Sequence, residues 1–155
     1  MFDPVKIVVK HLEMKRHYES ILTPTQKRRS RRDPHSRREP RHCGITIHLA
    51  RGCPYRCAYC YIYDMGFKEK PSRYPLTPQE LAYALLLNEN FVAGKFGTLI
   101  AIGSVSEPFL FKEYAKNVIS ELTKLGNPIQ FSTKSYISPT LARELYKINS
   151  RLSPL

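Results

Sequence analysis

From Gly44 onward the apolar and polar positions fall into a regular order. Gly44-Ile45-Thr46-Ile47-His48-Leu49 alternates, which predicts a strand. Leu76-Thr77-Pro78-Gln79-Glu80 carries a helix start: Thr77 as cap, Pro78 at the first helical position and Glu80 closing a capping box. Leu81, Ala84 and Leu85 continue that helix toward Phe91, and Gly94 and Gly97 break it. A second strand is predicted over 98–102, ending at Gly103. A helix from Lys112 follows, with Ala115, Val118, Ile119, Leu122 and Leu125 on one face and Gly126 at its stop. A third strand covers 128–132. Ser138-Pro139 opens a last helix carrying Leu141, Ala142, Leu145 and Ile148. Three strand–helix units in succession predict an α/β fold with a parallel sheet and βαβ crossovers.

The first 43 residues lack this order. Val5-Lys6-Ile7-Val8-Val9 reads as an early strand inside an extension spanning residues 1–26. Residues 27–42 show no apolar period and contain Ser30, Pro34, Ser36 and Pro40, which predicts a flexible arm. Residues 43–155 form the regular core.

Charge changes the picture at that arm. The chain of 155 residues has a formal net charge of +12. Lys27, Arg28, Arg29, Arg31, Arg32, Arg37, Arg38 and Arg41 face only Asp33 and Glu39 in this window, so half of the net charge lies there. Such a stretch suits phosphate contact, making nucleic acid a candidate partner, and it equally suits a solvated linker. With 42% hydrophobic residues the chain has enough apolar content for a packed core. No apolar run approaches the roughly 18 residues needed to cross a bilayer, so no membrane association is expected. No targeting segment is recognised, and the expected compartment is cytoplasmic.

The chemistry concentrates in Arg51-Gly52-Cys53-Pro54-Tyr55-Arg56-Cys57-Ala58-Tyr59-Cys60-Tyr61. Cys53, Cys57 and Cys60 have the spacing C-x3-C-x2-C. Three thiolates on one short loop suit three corners of a [4Fe–4S] cluster, leaving the fourth iron open where such clusters normally take a fourth cysteine. A closed zinc site is the competing reading: Cys57 and Cys60 would form half of it, completed by Cys53, Cys43, His42 or His48. That reading gives a zinc-stabilised nucleic-acid-binding module. A disulfide scaffold is not expected from four cysteines in a chain this long.

Ligands of parallel α/β sheets sit at the carboxyl ends of the strands. Three segments fall there: the cysteine loop, Gly103-Ser104-Val105-Ser106-Glu107-Pro108, and Thr133-Lys134-Ser135. Together these residues resemble the radical S-adenosylmethionine (SAM) superfamily. More narrowly they resemble its branch related to spore photoproduct lyase and DNA repair photolyase-like proteins, over about residues 44–150.

The resemblance implies a partial (βα) TIM-type barrel. It implies that Cys53, Cys57 and Cys60 hold the cluster as metal ligands and that SAM binds its open iron. It further implies reductive cleavage of SAM to a 5′-deoxyadenosyl radical that takes hydrogen from a substrate, with an electron donor as partner. Tyr59 would lie beside the adenine or serve as packing. Ser104, Ser106 and Glu107 would contact the SAM amino group, or would cap the following helix. Lys134 would pair with the SAM carboxylate or a substrate phosphate, or would end its strand in solvent. Tyr61 would relay a hydrogen atom, as a catalytic residue, or would pack.

Two departures stand out. Gly103-Ser104-Val105 carries no cysteine where the lyases keep a hydrogen donor, and Cys43 is the one thiol outside the motif. Three βα units are about half of the family's barrel. The chain is therefore expected to be the N-terminal part of the core, completed by a second chain or by self-association, or else an inactive cluster-binding fragment.

Overall fold

The structure, a computed structural model, describes residues 3–42, 44–148 and the backbone of 153–154. Its first two elements differ from the sequence expectation. Helix α1 spans Pro4–Ile21, where Val5–Val9 reads as a strand. Asp3 caps it, its carboxylate accepting from the amides of Val5 (3.1 Å) and Lys6 (3.2 Å), and Pro4 takes the first helical position. Ile7, His11, Met14 and Tyr18 recur at helical spacing on the half-buried or buried side, while Val5, Val8 and Val9 face solvent. The capping signal and the helical stripe outweigh the β-branched run.

Helix α2 spans Pro24–Arg32, within what reads as a flexible basic arm. Thr23 and Gln26 form a capping box: each side chain accepts from the other's backbone amide. Ser30 is fully buried and donates to the carbonyl oxygens of Gln26 (3.0 Å) and Glu80 (2.9 Å). A 3-10 turn, Pro34–Ser36, buries His35. The arm is thus a packed element, because one serine, one aspartate and one histidine supply buried hydrogen bonds where apolar residues are lacking.

The core follows the predicted order. Strand β1 (Ile45–Ile47) is followed by two short strands, β2 (Ala50–Arg51) and β3 (Ser72–Arg73), then helix α3 (Pro78–Leu87) and strand β4 (Ile100–Ile102). A 3-10 turn (Pro108–Phe111) leads into α4 (Lys112–Thr123). Strand β5 (Ile129–Phe131), helix α5 (Pro139–Ile148) and strand β6 (Ser153–Pro154) complete the chain order. The expected capping box at Thr77 and Glu80 is present, although α3 ends at Leu87 rather than near Phe91. There Asn88 turns its amide to the carbonyl oxygens of His35 and Arg38, each at 2.8 Å.

The fold is α/β, with a parallel sheet in the order β1-β4-β5-β6. Ile45, Ile100 and Ile129 lie in register, as do Ile47, Ile102 and Phe131, and all six are buried. The backbone of β6 extends the sheet beside Gln130 and Phe131, where a fourth strand is expected after the last helix. Helix α3 is buried on every side because α1, α2 and α4 surround it, which explains its unbroken Leu81–Leu86 run of apolar residues. No described helix is long and apolar enough to cross a membrane.

Candidate functional site

Gly52 opens the cysteine loop at a φ of +83°, and a Cβ there would lie 2.3 Å from the Lys68 carbonyl oxygen. Only glycine lets the two ends of the loop touch. The base of the loop is tied by the antiparallel pairing of β2 with β3, Ala50 opposite Arg73 and Arg51 opposite Ser72. The Cys53 amide donates to the Lys68 carbonyl at 3.1 Å. Tyr63 sits inside the loop: its hydroxyl donates to the Cys53 carbonyl (2.7 Å) and accepts from the Arg56 amide (3.1 Å). Cys60 N–H donates to the Cys57 carbonyl at 2.9 Å, forming the turn that separates those two thiols. Arg56 takes a left-handed φ of +45°, and its guanidinium pairs with Glu69 at 3.1 Å.

The three segments predicted to share one rim do so. A cavity of about 360 Å³ is lined by Cys53, Cys57 and Cys60 on one side. Its other walls come from the Gly103–Glu107 and Ser132–Lys134 segments, with Tyr55, Tyr59 and Tyr61 at the edge. The six other predicted site residues therefore meet the thiols in one place: Tyr59, Tyr61, Ser104, Ser106, Glu107 and Lys134, with Thr133 beside them. The three cysteines are free thiols, Cys53 buried and the others half-buried.

Hydrogen bonds bind the three walls to one another. Glu107, 5% exposed, accepts through Oε1 from the Phe109 amide (3.1 Å) and the Thr133 hydroxyl (2.5 Å), and through Oε2 from the Lys134 amide (2.7 Å). It therefore caps the turn that follows and at the same time anchors the third segment. Gly103, at φ +99°, brings the second segment against the third: a Cβ there would lie 2.4 Å from the Ser132 carbonyl oxygen. Tyr61 donates to the Ser104 carbonyl at 3.2 Å, and Tyr55 shares a 2.9 Å hydrogen bond with the Ser135 hydroxyl. Lys134 Nζ stands 4.9 Å from the centre of the Tyr59 ring. Hydrogen bonding and charge from Tyr59, with a smaller contribution from Cys57, raise the Lys134 ammonium above its ordinary range. Tyr59 is 72% exposed, so its place is the mouth of the cavity and not the core.

Sequence reasoning assigned no role to Tyr63 or Tyr55. The signal available was the repetition of tyrosine at 55, 59, 61 and 63 in an otherwise polar loop. It also missed a buried polar network that ties the amino-terminal segment to β1 and Tyr74. His35 donates through Nδ1 to Asp33 (2.6 Å) and accepts through Nε2 from the His48 amide (3.3 Å). Tyr74 donates to the second Asp33 oxygen at 2.8 Å. Arg38 donates to the Thr46 carbonyl, the Thr46 hydroxyl and His48 Nε2, all within 2.9 Å. Burial pushes Asp33 up, but the hydrogen bonds from His35 and Tyr74 outweigh it and hold the carboxyl below its ordinary value. Burial holds His35 below its ordinary value, and burial with the Arg38 charge brings His48 down to about 3. His48 Nδ1 is buried without a hydrogen-bond partner.

These contacts sort the cations of the basic stretch. Arg29 reaches the Pro75 carbonyl and lies 3.4 Å from the buried Glu80, Lys27 donates to the Glu19 carbonyl, and Arg38 belongs to the network. Arg28, Arg31, Arg32, Arg37 and Arg41 are exposed, as is Arg29, and Arg37 donates to the Arg32 carbonyl. His48, one of the possible zinc ligands, turns Nε2 to a guanidinium, an arrangement unsuited to holding a cation. Cys43 lies outside the described residues. Among the described residues no set of three or more His, Cys, Asp or Glu converges on a single metal-ion position. A cubane cluster does not require that convergence, since each cysteine binds a different iron atom.

Comparison with protein-family models, with curated proteins and with solved structures finds no match.

Proposed function

We propose that the chain is a radical SAM iron–sulfur protein whose cavity takes a [4Fe–4S] cluster on Cys53, Cys57 and Cys60 and SAM beside it. The observation that carries this reading is the meeting of three unpaired thiols with two polar strand-end loops around one cavity of about 360 Å³. The donor set fits a cluster with one open iron: three soft thiolates on one loop, and no fourth cysteine among the cavity residues. Together the two cofactors supply one-electron cleavage of a carbon–sulfur bond and a radical that takes hydrogen from a substrate.

The residues have distinct tasks in this reading. Lys134 offers a cation to the SAM carboxylate, held in place by the Tyr59 ring. Ser104 and Ser106 offer hydroxyl oxygens to an ammonium. Glu107 spends three acceptor positions on the protein, so it positions the Lys134 backbone and shapes the pocket around the amino group. Tyr61 holds the cysteine loop to the second segment, and Tyr55 holds it to the third.

The sheet would be the first part of a TIM-type barrel, continued by further strands from additional sequence or from a second chain at its two edges, β1 and β6. Nucleic acid as a substrate class would draw on exposed cations of the basic stretch, Arg28, Arg31, Arg32, Arg37 and Arg41.

Anaerobic reconstitution with iron and sulfide tests this. About four iron and four sulfide per chain are expected, with an absorbance band from thiolate-to-iron charge transfer. Release of 5′-deoxyadenosine after SAM and dithionite are added is the second expected result. Cys53→Ser, Cys57→Ser or Cys60→Ser should each abolish both. Stoichiometric zinc bound in preference to iron under these conditions would refute the reading.

A further inference from the structure

Tyr63 stands apart from the other tyrosines of the cysteine loop. Tyr55, Tyr59 and Tyr61 line the cavity, and Tyr63 does not. It is half-buried, and its backbone is fixed in a turn. The Met65 amide donates to the Tyr61 carbonyl (3.3 Å), the Gly66 amide to the Tyr63 carbonyl (2.9 Å) and the Phe67 amide to the carbonyl of the buried Ile62 (3.1 Å). From that base one hydroxyl bridges both ends of the spacer between the first two cysteines. It donates to the Cys53 carbonyl at 2.7 Å and accepts from the Arg56 amide at 3.1 Å. Neither backbone group has another hydrogen-bond partner among the described residues. Arg56 needs such a holder. Glycines aside, it alone among the described residues has a positive φ, +45°. A side chain disfavours that conformation, which persists only where the surroundings impose it. The ion pair of Arg56 with Glu69 is exposed on both sides, 72% and 55%, and imposes little. The bond from the Arg56 amide to Tyr63 remains. Cys57 follows at once, so the direction of the chain at Arg56 sets where the second thiol stands relative to the first.

We propose that Tyr63 is a positioning residue for the cluster ligands: its hydroxyl holds the left-handed turn at Arg56 and, through it, the mutual placement of the Cys53 and Cys57 thiols. The inference rests on the reading of Cys53, Cys57 and Cys60 as cluster ligands. Each thiolate of a cubane site meets a different iron, so the spacing between thiols matters as much as their number. A spacer bent by the protein presents that spacing before metal arrives, and groups that orient ligands without touching the metal carry much of a site's affinity. Tyr63 touches neither the cavity nor a thiol, so it acts through the backbone alone. Packing by the ring does not account for a hydroxyl that serves two backbone groups three residues apart.

Four full-length chains test it: the unaltered protein, Tyr63→Phe, Arg56→Gly and the two together. Phenylalanine keeps the ring and removes the bridge, and glycine adopts a positive φ without strain. Each chain is reconstituted anaerobically with iron and sulfide. The loss of iron to a chelator is timed, and the reduced cluster is examined by electron paramagnetic resonance without SAM. Tyr63→Phe should speed iron loss at least about tenfold, the usual weight of a group that orients a metal ligand, and should shift the g-values of the cluster that remains. In the Arg56→Gly background the same removal should cost less than about threefold, because two residues that act through one turn are not additive. Iron retention and g-values equal to those of the unaltered chain in Tyr63→Phe would overturn the proposal. So would an equal cost in both backgrounds, which would make the hydroxyl a general brace of the fold. Failure of the unaltered chain to take up iron would instead strike at the cluster reading, and the positioning role would fall with it.

Discussion

Replacing Glu107 by glutamine keeps the shape of the side chain and alters only what it can accept. The carboxylate takes three hydrogen bonds in a position 5% exposed. An amide has one acceptor oxygen. Its best arrangement keeps that oxygen on the Phe109 amide and the Thr133 hydroxyl, and sets its NH2 against the Lys134 N–H, donor against donor. One charge-assisted bond is then lost, about 1.5–3 kcal/mol, and the other two become neutral bonds of roughly half the strength. The expected cost is about 3–6 kcal/mol, which for a chain of this size lowers Tm by roughly 6–24 °C. Glu107→Ala leaves three donors unpaired and should cost more. Urea unfolding followed by circular dichroism reads both, provided the m-value is unchanged. A glutamine variant within about 0.5 kcal/mol of the parent would refute the clamp, because a surface carboxylate behaves that way. An alanine variant more stable than the glutamine variant would refute it as well.

Three further outcomes are expected. His35 and His48 are held neutral by burial, with folded-state values below their ordinary 6.5, His48 near 3. The unfolded chain takes up these protons first, so the stability they contribute is fully present above pH 6.5 and is lost as pH falls below it. The slope is up to about 1.4 kcal/mol per pH unit for each group. Urea unfolding at pH 8, 6.5 and 5 should show a flat upper range and then a decline, and equal stability at pH 8 and 5 would contradict the network. Gly52→Ala should cost about 1–3 kcal/mol from backbone strain and should lower iron incorporation, whereas full iron loading at unchanged stability would show that the loop closes some other way. Tyr61→Phe removes one exposed hydroxyl bond and should change stability by less than about 1 kcal/mol, with SAM cleavage retained; loss of all turnover at intact stability would make the hydroxyl a participant in the chemistry.

The core was legible because its signals are local and repeated. Thr77, Pro78 and Glu80 announce α3, and the face carried by Ala115, Val118, Ile119 and Leu122 announces α4; both helices are present, each ending a few residues earlier than read. Burial of the isoleucines of β1, β4 and β5 follows from the same pattern. The meeting of the cysteine loop with Ser104–Glu107 and Thr133–Lys134 followed from topology, since all three leave the carboxyl end of a strand. The amino-terminal third was misread for a physical reason. Its packing rests on polar residues: Ser30 binds the Glu80 carbonyl, Asp33 binds His35 and Tyr74, and Arg38 binds Thr46 and His48. Hydrophobic periodicity is blind to such contacts, and a run of arginines looks solvated until its partners across the chain are known. The role of Glu107 was hidden for a similar reason, since its cap lies within two residues but its other partners, Thr133 and Lys134, are 26 and 27 residues away.

The cysteine loop closes against parts of the chain made much later. Tyr61 finds its acceptor 43 residues downstream, and Tyr55 finds its partner 80 residues downstream. A ribosome synthesises the three cysteines early and the Thr133–Ser135 wall near the end of this sequence, and β1, β4 and β5 must pair before that wall is in place. Until then Cys53, Cys57 and Cys60 sit on a loop without its cover, open to oxidants and to stray metal ions. For a growing chain, synthesis itself sets a delay between making the thiols and sheltering them.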